Sequence, residues 1–287
     1  MNKLDTKARA QILRMLVEGN SINSTCRISG AAKNTVLKLL AEVGAACMAY
    51  QDRVMRDLNC KRIEADETWS FVGMKQRNVP EELKNVLGFG DVYTWVAIDA
   101  DSKLIPCWHV GTRDSESGTA FINDLASRLA NRVQLSTDAY KVYLTAIRGA
   151  FKNEIDYGQI VKMYGAPPGA PSFGPVRFSP AECTGTKKKV VIGRPAQSKI
   201  STSYVERQNL TMRMGMRRFT RLTNGFSKKL ENHMHAISLH FMYYNFCRQH
   251  STLRVSPAMA AGISDYLWDM EDIVMMSDTY EDVTESA

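Results

Sequence analysis

Three acids stand out by the positions they hold: Asp66, Asp138 and Glu206. Asp66 lies in a stretch, 61–71, with a period of two. Ile63, Ala65, Glu67, Trp69 and Phe71 share one side, and Arg62, Glu64, Asp66, Thr68 and Ser70 share the other, the pattern of a strand that bears acids. Asp138 closes a short strand at 133–139, and Glu206 opens a helix at 203–219. Singly, each has an ordinary explanation: a strand-end Asp caps a turn, and a helix surface carries a Glu. Together, on a strand, a strand and a helix, they fit a carboxylate cluster that holds two divalent cations about 4 Å apart. One ion would activate an attacking water or hydroxyl, and the other would stabilise the leaving oxygen of a phosphodiester. Carboxylates suit Mg²⁺ because it prefers hard oxygen ligands. Without cations, acids this close would repel one another and take up protons.

The helix that carries Glu206 also carries the means to hold phosphate. Val205, Met212, Met216 and Phe219 fall on one apolar stripe, and Glu206, Leu210, Arg213 and Arg217 on the next; Arg207, Arg218 and Arg221 widen a basic face. The planar guanidinium donates two parallel hydrogen bonds to a phosphate. A carboxylate on such a face would repel that ligand unless a divalent cation stood between them. Upstream, a stretch at about 164–200 holds six prolines (167, 168, 171, 175, 180 and 195), which leaves little room for long elements, and it carries Lys187, Lys188, Lys189 and Arg194.

The elements that must position these residues can be read in order. Residues 5–56 read as helices: one stopped by Gly19 and Asn20, a short one with Ser21 as its N-cap, a turn at Ser29 and Gly30, then a helix from Ala31 to about Leu40. That is a helix-turn-helix reading, with Lys33, Asn34 and Thr35 near base edges and Lys38 facing outward. The alternative is a small helical bundle for dimerisation. A hairpin follows the acid-bearing strand (92–98 and 104–110), then a helix at 115–129, the strand ending in Asp138, and a helix to about Phe151. A helix at 230–247, rich in His and aromatics, follows the Glu206 helix; its His233 and His240 read as surface or interface residues.

Composition bounds the rest. The 287 residues are 44% hydrophobic and 23% charged, as expected of one large domain or a large and a small one. No apolar run approaches the roughly eighteen residues of a membrane span, and residues 1–7 lack the apolar core of a signal peptide. Six scattered cysteines with no C-x-x-C pair argue against a zinc ribbon or a disulfide scaffold and for reduced thiols in the cytosol. Eight acids and no Lys or Arg follow Arg254, so the net charge of +7 resolves into a body of +15 and an acidic tail that is expected to fray. A basic body suggests a polyanion partner.

On Asp66-Glu-Thr-Trp69, Ser136-Thr-Asp138 and Tyr204-Val-Glu206-Arg-Gln-Asn-Leu210 with Arg213 seven residues after its Glu, the chain resembles the DDE transposases of bacterial insertion sequences, the insertion-sequence-one type within the retroviral-integrase superfamily. The resemblance covers about 58–262. It implies an α/β, RNase H-like catalytic domain, a mixed central sheet with helices on both faces, at 57–265. An all-α helix-turn-helix domain at 1–56 would precede it and an acidic tail at 266–287 would follow. It implies metal ligation by Asp66, Asp138 and Glu206, two Mg²⁺ or Mn²⁺ ions, cutting of element ends and joining of the 3′-hydroxyl to target DNA. Arg213 would hold terminal DNA, with Arg207, Arg217 and the three lysines on other phosphates. It also implies a homo-oligomer on double-stranded DNA and a bacterial, cytoplasmic, nucleoid-associated protein. Departures are the missing zinc ribbon and the long segment between Asp138 and Glu206. Within the site, Glu64 shares the Asp66 face and is a candidate support, Asp99 or Asp101 can stand in for Asp138, and His250 is a candidate for the scissile phosphate. A non-catalytic DNA-binding regulator and a metal-dependent nuclease without strand transfer are the rival readings.

Overall fold

The computed structural model describes residues 3–84, 86–165, 182–220 and 223–285. Three helices come first: α1 (Thr6–Val17), α2 (Ile22–Ser29) and α3 (Lys33–Val54). Asp5 and Ser21 cap α1 and α2 by accepting from the amides of Ala8 and Ser24. Gly30 then takes the left-handed conformation (φ 72°) that a helix C-terminus favours in glycine. α3 is longer than its first ten residues suggest, at 22 residues, and buries Val36, Leu39, Leu40 and Val43.

The sheet comprises β1 (Arg62–Val72), β2 (Gly90–Asp99), β3 (Trp108–Gly111), β4 (Gln134–Asp138), β5 (Asp156–Gly165) and β6 (Glu182–Ile192). Its order is β3-β2-β1-β4-β5-β6. β1 pairs antiparallel with β2 and parallel with β4; β4 pairs parallel with β5. The sheet is therefore mixed. Helices α4 (Ser115–Arg128) and α5 (Lys141–Phe151) supply Phe121, Leu125, Tyr143 and Ile147 to a core shared with Ile63, Ala65 and Trp95. Helices α6 (Ser203–Gly215) and α7 (Leu230–Met242) bring Val205, Met212, Ile237 and Phe241 onto Val92, Val96 and Ile98. The sheet thus has helices on both faces, as the α/β reading expects. The remaining helices are α8 (Pro257–Ala260) and α9 (Met270–Glu285).

Four expectations change. Residues 182–192 are not structureless but form β6 on β5, carrying the three lysines. The Pro-rich 166–181 and Arg221 lie outside the described residues. The helix expected over 203–219 stops at Gly215: Met216 turns extended (φ −118°, ψ 112°), and Arg217–Phe219 form a 3₁₀ turn, so Arg217 and Arg218 leave the row begun by Glu206. The acidic end does not fray from its start: α9 buries Met270, Ile273 and Val274 in the core that holds α1 and α3. Finally, the second hairpin strand is short, with only 108–111 in the ladder.

α3 packs along α7 and approaches it closely at Gly44. A Cβ added at Gly44 would lie 2.5 Å from the Cβ of His235 and 2.8 Å from its carbonyl oxygen, so backbone would have to move. Gly44→Ala should therefore destabilise the protein by about 1–3 kcal/mol, although alanine favours helix by up to about 1 kcal/mol. Urea midpoints test this; a stabilised variant would mean that α3 and α7 do not meet this closely.

Candidate active site

The even-numbered face of β1 is polar and buried, and α6 lies along it. Glu64, 3% exposed, accepts through Oε2 from the amides of Tyr204 (2.7 Å) and Val205 (3.2 Å). These are first-turn amides of α6, which lack helical partners and sit at the positive end of the helix dipole. Burial pushes the Glu64 carboxyl up, and the two amides pull it back. Two residues on, Asp66 Oδ2 accepts from Asn209 Nδ2 at 2.9 Å. Thr68 Oγ1 accepts from Arg213 Nη2 at 3.0 Å, and Ser70 Oγ meets His233 Nε2 at 3.2 Å. Side chains 64, 66, 68 and 70 share one face because a strand alternates its side chains.

Asp138 arrives from the neighbouring strand. The parallel pairing of β1 with β4 ends at Glu64–Ser136, and the same offset sets Asp66 beside Asp138 just beyond the last pair. Asp138 Oδ1 accepts from the amide of Tyr140 at 2.9 Å and so fixes the turn into α5. One carboxylate oxygen each from Asp66, Glu67 and Asp138 lie within 4.8 Å of one another. Two like charges at that separation cost about 3 kcal/mol at an effective dielectric of about 20. Asp66 shows the result: its carboxyl is pushed up to about 7, first by burial, then by the charges of Glu67 and Asp138, with Glu206 adding a smaller push.

Glu67 was not among the acids the sequence singled out, because alternation puts it on the opposite face. It does leave from that face, where Arg113 Nε (2.7 Å) and the Tyr143 hydroxyl (2.9 Å) donate to its two oxygens. It still reaches Asp138 because β4 ends there. Two adjacent acids next to a short parallel strand were the available signal.

Glu206 stands beside the cluster, not within it. Its Oε1 accepts from Lys162 Nζ of β5 and from Thr202 Oγ1, both at 2.6 Å. The alternatives to Asp138 lie elsewhere: Asp99 pairs with Ile63, three residues before Asp66, and holds Ser102, while Asp101 pairs with Arg62. Glu64, a candidate support, is the residue that fastens α6.

The candidate DNA-contacting residues are distributed over three places. Lys33 and Asn34 are exposed at the start of α3, Thr35 is half-buried, and Lys38 pairs with Glu42 at 3.3 Å. Lys187, Lys188 and Lys189 are exposed on β6, and Arg207 is exposed on α6. Arg213 lies in the α6–β1 seam. Arg218, read as part of a basic face, is half-buried; desolvation lowers its guanidinium to about 10, and it donates to Ser227. His233 and His240 are buried, at 0% and 3% exposure, not on the surface. His233 also meets Ser227 Oγ at 2.8 Å, and burial holds both imidazoles down at about 3.

No protein-family model matches the sequence, and no curated protein matches it. Among solved structures it is similar to "Crystal structure of the Mos1 Strand Transfer Complex", with 12% identity and a TM-score of 0.23 over 53% of this chain and 57% of that one. It is also similar to "Cryo-EM structure of piggyBac transposase synaptic complex with hairpin DNA (SNHP)", with 10% identity and a TM-score of 0.39 over 100% of this chain and 72% of that one. The chain thus spans little more than half the length of the first of these, and likenesses this remote carry no weight for fold or chemistry. Among the described residues no helix is long and apolar enough to cross a membrane.

The charge cluster fixes a pH dependence. Asp66 has a folded value near 7 against an ordinary 3.8, so the fold favours its protonated form. The stability this lends is complete below about pH 4 and is lost as pH rises through 7. Asp66→Asn removes the charge. At pH 8 without divalent cations the variant should unfold at higher urea than the parent, by at most about 4 kcal/mol, and the gap should close towards pH 4. A gap that is constant with pH would remove the repulsion from the account.

Proposed function

We propose that the chain is a metal-dependent DNA transposase that cuts insertion-sequence ends and joins the 3′-hydroxyl to target DNA. The observation that carries this reading is the convergence of Asp66 and Asp138 from two parallel strands, with Glu67 in the same group. The donor set fits Mg²⁺ or Mn²⁺: all oxygen, negatively charged, and with Asp66 pushed up to about 7 by burial and by its like-charged neighbours, a conflict a cation would relieve. Bound there, two such ions supply Lewis acidity to the phosphodiester and lower the pKa of the attacking water or hydroxyl.

The chain's own residues then have distinct tasks. Asp66 and Asp138 hold the metals, and Asn209 and the Tyr140 amide fix the rotamers of those two carboxylates. Glu206 completes the ligand set once it releases Lys162. Glu67, held by Arg113 and Tyr143, adds negative charge from the far face. Arg207, Arg213, Arg217, Lys187, Lys188 and Lys189 hold phosphates, and a helix-turn-helix unit at 1–56 places Lys33, Asn34, Thr35 and Lys38 in the major groove. The RNase H-like assignment of 57–265, the acidic unit at 266–287, the bacterial nucleoid setting and a homo-oligomer that holds two DNA ends belong to the same reading.

The decisive assay is Mg²⁺-dependent joining of a terminal-repeat oligonucleotide to plasmid DNA. Asp66→Asn, Asp138→Asn and Glu206→Gln should each lower joined product by roughly 10³-fold, the loss of several kcal/mol of charge stabilisation. Full activity in Asp138→Ala or Glu206→Ala rejects the roles given to those residues. Cleavage with no joined product identifies a nuclease, and DNA binding indifferent to metal identifies a regulator. The third ligand can be settled in the same assay: Glu67→Gln should lose no more than about tenfold, and the opposite ranking of Glu67→Gln and Glu206→Gln would transfer that role to Glu67.

A further inference from the structure

A separate cavity of about 180 Å³ opens between α6, Lys103 after β2 and the segment that follows α7. Lys103, Arg207, Arg248 and His250 line it, and no acidic side chain does so among the described residues. Gln208 lines it as well. That residue is 2% exposed, and its Nε2 donor has no partner within the protein. Lys103 is 9% exposed and sits in the left-handed backbone region (φ 62°), with its Nζ 3.4 Å from the centre of the Tyr204 ring. Burial, and then the charges of Lys103 and Arg248, hold the His250 imidazole below the usual range.

Such an arrangement costs free energy as it stands. Like charges repel, and a buried N–H without an acceptor has lost its water. An anion with several acceptor oxygens relieves both, and the guanidinium fork of an arginine matches the edge of a phosphate. The volume falls below the roughly 300–1,000 Å³ of pockets that enclose drug-sized ligands, so it suits a group and not a whole nucleotide. We infer that this cavity binds a phosphate group. Free inorganic phosphate and a phosphate of the DNA backbone present the same chemistry. Arg207 and Gln208 point to the β2 side of α6 while Glu206 reaches Lys162 of β5, so a backbone phosphate held here would fix a DNA strand across α6 from the acid cluster. That second source rests on the transposase reading; the first does not.

The test uses the full chain in EDTA, where no metal-dependent cleavage intervenes. Calorimetric titration with inorganic phosphate at constant ionic strength should show one site, weakened at least tenfold by Arg248→Gln and by Arg207→Gln. Both side chains are exposed, so the fold should tolerate these changes. Lys7→Gln, an exposed lysine on α1, should leave the affinity as it is. If inorganic phosphate does not bind, the esterified source is tested with duplex DNA: Arg248→Gln should weaken binding at least threefold and reduce the slope of log K against log salt by about one. Equal weakening of phosphate binding by Lys7→Gln, or no response to Arg248→Gln in either arm, overturns the inference. Phosphate binding that persists in a chain with no joining activity would instead count against the transposase reading alone.

Discussion

The placement of the candidate site depends on one buried carboxylate. Glu64 lies inside the sheet–helix interface, where an ionised acid is costly unless hydrogen bonds replace its water. The first-turn amides of α6 are the replacement, and they need an acceptor as much as Glu64 needs donors. This pairing fixes where α6 begins on β1. Once Tyr204 and Val205 are fixed opposite residue 64, the helical rise sets Asn209 on Asp66 and Arg213 on Thr68. Glu206 is then carried to the edge of the acid cluster by geometry it does not itself provide.

A second constraint is the shortness of β4. In a longer ladder, neighbouring strands would keep their side chains to one face or the other, and Glu67 would be separated from Asp66 by the backbone. β4 ends at Asp138, whose carboxylate turns back to the Tyr140 amide. Oxygens from both faces of β1 can therefore approach Asp138. The fold tolerates this crowding by two means: Arg113 and Tyr143 hold Glu67, and Lys162 draws Glu206 aside. The acids that a cation would fit are thus gathered at a point of burial and like-charge repulsion.

The β1 alternation, the start of α6, the Ser21 cap and the Gly30 turn were legible in the sequence, because each is a local pattern of residue types. What could not be read there depended on partners. Residues 182–192 contain no proline, but the prolines around them dominate their composition, and three exposed lysines resemble a loop until β5 supplies the pairing; lysine on an edge strand also discourages further pairing. The end of α6 at Gly215 carries no helix-stopping proline, so the arginine row looked continuous to Arg217. His233 lacks any sequence mark of burial; the two serines that receive it, Ser70 and Ser227, come from distant elements. Glu67 required the length of a strand seventy residues away.

The charge asymmetry is also resolved by packing. Acids after Arg254 suggested a solvated tail set against a basic body. In the fold, Met270, Ile273, Val274 and Ser277 form one buried stripe on α9, at helical spacing, and the helix seats on α1 and α3. Asp278 then pairs with Arg9, itself 8% exposed, and with Lys3; its carboxyl is held down at about 2, chiefly by its bond to Arg9. The acidic helix therefore neutralises part of α1. The exposed lysines of β6 and the cations that line the cavity at His250 belong to other elements, which α9 does not neutralise.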